Sequence, residues 1–167
     1  MNAPLPSDNL LFDGTCYDLG WDEHRYPSSQ VGSESVALPS ADYARYLINA
    51  VQFHCGQLFH LLDEDKFMQC FSLYHESALN RPGLWYPHYL LILALGKACV
   101  VHTNNGRKPP GADLFILAMN FLPPTHFFFA DAIHMVQILC CAALYLQCLD
   151  FRGPAYRIVS SVLKASI

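Results

Sequence analysis

Two long apolar runs, residues 89–101 and 133–149, constrain this chain more than anything else in it. Both must leave water, either by burying one another or by entering lipid. A membrane span needs roughly 18 uninterrupted apolar residues. Lys97 breaks the first run, and His134 and Gln137 interrupt the second. Both therefore read as buried core helices, and no membrane partner is expected. Hydrophobic residues make up 53% of the chain and charged residues only 14%, where an average soluble domain carries roughly 25% charged residues. A chain of 167 residues can build one domain with a sizeable core. So apolar a composition means extensive burial, or a surface that meets a partner.

The rest of the chain supplies the stripes those runs would pack against. From Ser40, a plausible N-cap after Pro39, Tyr43, Leu47, Ala50, Val51, His54 and Leu58 recur at three- and four-residue steps. A second helix is expected over 63–79. Asp63, Glu64 and Asp65 sit at its positive dipole end, and Phe67, Phe71, Tyr74 and Ala78 form its stripe. Asn80-Arg81-Pro82-Gly83 ends it. Pro87 suits the start of a third helix, apolar nearly all round from Leu90 to Val101. A fourth is expected over 112–122, with Leu114, Leu117, Ala118 and Phe121 as its stripe. Thr125 or Asp131 caps a fifth that reaches Leu149, with the Phe127-Phe128-Phe129 run leading into it. A sixth follows Gly153-Pro154. No strand-like alternation of useful length occurs. The expected fold is all-α: an antiparallel array of about six helices over residues 39–167, preceded by an irregular acidic leader over 1–38.

Six acidic groups against Arg25 alone give that leader a charge of −5, and the remainder carries +1. Beyond Arg107-Lys108 no basic cluster exists to neutralise phosphates, so direct nucleic-acid binding is not expected. Within the leader, Phe12, Tyr17, Leu19 and Trp21 alternate with acids. That is the composition of a short activation-type segment whose aromatics a coactivator groove would bury. The alternative is a linker anchored on the helical domain by the same aromatics.

Chemistry-bearing residues are plentiful but poorly arranged. Seven cysteines, an odd number mostly within apolar helices, read as small buried hydrophobes in a reducing compartment. His54 and Cys55 are helix neighbours and point apart, as do Cys140 and Cys141; Cys141 and Cys148 lie two turns apart. His60 and His75 add no converging set, so no metal site is expected. Cys70 with His75 lacks the electropositive niche that activates a thiolate. No Gly-x-Ser-x-Gly or Gly-rich phosphate loop occurs. Neither catalytic nor cofactor-binding residues are expected. Tyr43, Tyr46, Phe67, Phe71 and Tyr89 could line an effector pocket, or could simply be core.

Three strings in order carry a family resemblance. Leu38-Pro39-Ser40-x-x-Tyr43-Ala44-x-Tyr46-Leu47-Ile48-Asn49 opens it, and Gln57-Leu58-Phe59-His60-Leu61-Leu62-Asp63-x-x-x-Phe67 follows. The third is Val136-Gln137-x-Leu139-Cys140-Cys141-x-Ala143-Leu144-Tyr145-Leu146-Gln147 with Asp150-x-Arg152-Gly153-x-Ala155-Tyr156. Together they resemble the first part of the middle homology region of fungal binuclear zinc-cluster transcription factors. That resemblance implies a helical regulatory domain acting in the nucleus on RNA polymerase II transcription, through protein contacts or an effector. Its partners would be a coactivator, the rest of a transcription factor or a dimer partner. DNA binding would reside in a zinc cluster of six spaced cysteines, whose spacing this sequence lacks, so zinc belongs to the parent family. The family pattern also runs on past Ile167, which makes an apolar edge near 155–167 an expectation. The other readings are a stand-alone α-helical interaction protein without DNA binding, and a small helical enzyme or ligand carrier with a cysteine or histidine site.

Overall fold

The computed structural model describes residues 17, 19, 36–76, 83–101, 108–122 and 131–165, with side chains of the last helix described to residue 160. Its elements are α1 (Ala41–Cys55), α2 (Glu64–Glu76), α3 (Trp85–Val100), α4 (Ala112–Phe121), α5 (Ala132–Cys148) and α6 (Arg152–Ala165). No strand occurs among the described residues, and the fold is all-α. No described helix is long and apolar enough to cross a membrane.

α3 is the axis of the molecule. Every residue from Trp85 to Gly96 is buried, as a helix apolar on all sides requires. α1, α4 and α5 all pack against it. α4 runs back along α3, placing Gly111 beside Ala94 and the Phe121 ring 5.1 Å from Tyr86. α5 runs forward again, with His134 and Cys141 beside His88. The resulting up–down–up course gives each neighbour of α3 a separate face.

Two glycines permit the closest approaches. A Cβ on Gly96 would lie 2.7 Å from the Leu47 carbonyl of α1. Gly111, at φ 83°, caps the start of α4 in the left-handed region, and a Cβ there would meet the Ala94 carbonyl at 2.6 Å. Only glycine meets both demands cheaply.

The helix starts follow their caps. Ser40 Oγ accepts from Tyr43 N–H at 3.4 Å, and Asp131 Oδ1 accepts from His134 N–H at 3.2 Å. Such a cap contributes about 1 kcal/mol. Thr125 and the 127–129 run lie outside the described residues, as do Ala78 and Leu79 at the expected end of the second helix. α3 begins two residues before Pro87, at Trp85.

The stripe expected for the first helix is corrected. The buried positions are Ala44, Leu47, Ile48 and Val51, while Tyr43 and Leu58 are exposed and His54 faces solvent. Tyr43 and Tyr46 stack on one another outside, ring centroids 6.1 Å apart. Small Ala44 lets α1 settle on α3, where a tyrosine would hold it off. α1 also stops at Cys55, so Leu58 belongs to the connection and not to the helix.

Candidate functional site: a cleft at three helix N-termini

The N-terminal ends of α2, α3 and α5 face a cleft of about 420 Å³, within the range of small-molecule sites. Phe67 and Trp85 supply buried aromatic surface, with Trp85 Nε1 donating to the Phe67 carbonyl at 3.2 Å. Asp63, Lys66, Asp131, His134 and Gln137 bring polar groups, and exposed Ile133 adds an apolar rim. The connection between α1 and α2 closes one side, where Gln137 Nε2 donates to the His60 carbonyl at 3.5 Å. Each carboxylate is present for a local reason. Asp131 caps α5, and Asp63 accepts the Lys66 amide at the start of α2. Capping favours short side-chain acceptors, Asp among them, at helix starts, and the fold brings these starts together.

Beneath the cleft lies a row of polar groups within the core. His88, 1% exposed, places Nδ1 3.0 Å from His134 Nε2, and Cys141 Sγ lies 3.7 Å from His88 Nε2. His134 Nδ1 faces Asp131 Oδ2 at 3.6 Å. One set of neutral tautomers satisfies all four groups. Cys141 S–H donates to His88, His88 Nδ1–H donates to His134, and His134 Nδ1–H points at the carboxylate. Desolvation, reinforced by nearby His134, pushes His88 down to about 3 against a backbone hydrogen bond at Leu61 that favours its charged form. Burial also lowers His134, although Asp131 opposes the shift. Both imidazoles are therefore neutral at pH 7. Desolvation raises the Cys141 thiol far above its ordinary value, so it holds its proton and is no ready nucleophile.

The rim charges are unequal. Lys66 Nζ pairs with Asp63 Oδ2 at 3.0 Å, and that bond holds the Asp63 carboxyl below its usual range. Asp131 has the neutral His134 against its second oxygen, and Lys66, beyond bonding distance, adds a Coulombic attraction. Among the described residues, no group of three or more His, Cys, Asp or Glu side chains converges to hold a metal ion.

The residues singled out from sequence are scattered. Phe67, Phe71 and Tyr89 meet in the core, with ring centroids 6.5 Å apart for Phe67–Tyr89 and 6.0 Å for Phe71–Tyr89. Of the five pocket candidates only Phe67 lines the cleft; Tyr43 and Tyr46 are exposed on α1. Leu19 is buried at 5% exposure and Tyr17 packs against the core. Phe12 and Trp21 lie outside the described residues. His75 bonds the Tyr89 hydroxyl at 3.1 Å. His88 and Cys141 pair across 53 positions and His88 and His134 across 46, separations that no local spacing rule reaches. The signal available was a histidine inside a nearly all-apolar helix, since a buried imidazole must find partners.

No family model, curated protein or solved structure matches the chain.

Proposed function

We propose that this chain is a helical regulatory domain of a zinc-cluster type of transcription factor, working in the nucleus, with its cleft as an effector site. DNA binding would come from a separate zinc-cluster module. The observation that carries the effector role is the cleft: about 420 Å³, with apolar and polar lining drawn from three helices and a connection. An occupant there would touch α2, α3 and α5 at once. A ligand that prefers one arrangement of these helices shifts their equilibrium by its difference in affinity. The placing in transcription rests on the ordered resemblance of residues 38–156, which the all-α architecture accommodates.

The test fuses the full chain to an unrelated DNA-binding domain and reads a reporter in a eukaryotic nucleus. Reporter output should differ from that of the DNA-binding domain alone by about fivefold or more. Ile133→Trp, which crowds the cleft mouth from an exposed position, should change the response. Output equal to that of the DNA-binding domain alone would overturn the reading.

A second reading, capture of another protein, rests on α1. Its outer surface presents Tyr43, Tyr46 and Phe53, the last 74% exposed. Large aromatics in such a row are typical anchors of protein interfaces.

A further inference from the structure

We infer that the cleft binds an organic amine with an apolar body, its ammonium group held by Asp131 and its body lying over Phe67, Trp85 and Ile133. This deepens the effector reading of the same site and rests on it.

The charge of the site decides the sign. Its lining contains two carboxylates, Asp63 and Asp131, and one ammonium, Lys66. The histidines that reach it from α3 and α5 are neutral, since burial opposes their charged forms. The carboxylates of the lining outnumber its ammonium by one. Lys66 bonds Asp63 at 3.0 Å and reaches Asp131 only through a longer-range Coulombic attraction, which leaves Asp131 as the carboxylate without a cationic partner at bonding distance. Its Oδ1 is used by the α5 cap, and Oδ2 meets only a neutral imidazole at 3.6 Å. An ammonium donor at Oδ2 would complete a charge-assisted hydrogen bond.

A carboxylate or phosphate ligand faces the opposite balance. Three helix N-termini would attract an anion, but α2 and α5 already have acids there: Asp63, Glu64 and Asp65 on one, Asp131 on the other.

Phenethylamine and phenylacetate share a ring and differ in the sign of the end group. Equilibrium dialysis of each against the full chain gives the two affinities. The amine should bind at least about tenfold more tightly, a difference of about 1.4 kcal/mol. Asp131→Asn keeps a good N-cap residue and removes the charge, so it should bring the two affinities within about threefold of one another. Helix content by circular dichroism checks that this variant still folds. The wild-type comparison stands by itself if it does not. Equal or reversed preference in the wild type overturns the inference, as does an amine preference unchanged in a folded Asp131→Asn, or no binding of either probe at millimolar concentration. A reporter response without amine preference would sink this inference and leave the regulatory reading. Amine preference with a silent reporter would do the reverse.

Discussion

At the N-terminal ends of α3 and α5 stand His88, His134 and Asp131. At the C-terminal ends stand Cys99 and Cys148, with Cys55 of α1 near enough to both to shift their thiols. The same pair of helices thus carries imidazoles and the Asp131 carboxylate at one end, with the Cys141 thiol beneath them, and a cluster of thiols at the other. Helix starts demand acceptors for their free amides, and these bring acids and the groups that bond them. The far ends of α1, α3 and α5 use cysteine, which packs like a small hydrophobe. His88 and His134 lie at the first end and Cys55, Cys99 and Cys148 at the second, while Cys141, also raised by burial, belongs to the first. Burial depresses His88 and His134, so the fold favours their neutral forms. Burial raises Cys55 and Cys148, and it lifts Cys99 up to about 12, so the fold favours their protonated forms.

The largest expected effect is acid sensitivity at the cleft end. An unfolded histidine titrates near 6.5 and binds protons before the folded His88 does, so stability falls as pH drops below about 6.5. Between pH 7 and pH 4 the loss through His88 should be about 3 kcal/mol. Urea unfolding across pH measures it, and His88→Leu should flatten that arm. An unchanged acid arm in this variant would break the contrast.

In alkali the sign reverses. Unfolded thiols lose protons near their ordinary value while the folded ones keep theirs, so stability falls as pH rises above about 9. Cys99→Ala should soften this fall without touching the acid arm. Above pH 10 the buried Tyr89 and Tyr145, both raised, add to it.

Packing near the thiol end gives a smaller effect. Gly96→Ala must push α1 off α3 at Leu47, at a cost of about 2 kcal/mol. The urea midpoint should fall at pH 7, and the acid arm should keep its shape. Smallest is the α5 cap. Asp131→Ala should lose about 1 kcal/mol in thermal unfolding, while Asp131→Asn loses a few tenths. Equal losses would mean that the cap does not hold the cleft wall.

The legibility of the molecule follows the range of its interactions. Caps and stops act within one turn, so Ser40 declared α1 directly and Asp131 was one of two candidates, with Thr125, for the start of α5. The all-round apolar character of α3 foretold its central place. The face of α1 was misjudged because Tyr43 weighs heavily as a hydrophobe, whereas contact with α3 selects the smaller Ala44. The cleft was beyond local reading. It forms where three helix starts meet, and the residues that define it look in sequence like ordinary caps or interruptions of an apolar run. Phe67 was identified as a lining residue for the wrong companions: its neighbours in the cleft include Trp85 and His134, not Tyr43 or Tyr46.

α1, α4 and α5 share α3 as a common support, while α6 has its main packing partner in α5. Losing α3 therefore costs the others their seat at once, whereas α6 can lift away and leave the rest assembled. Amide exchange should reflect this hierarchy. Protons in the middle of α3 should wait for the whole molecule to open, and those of α6 should escape through a shallower, private opening.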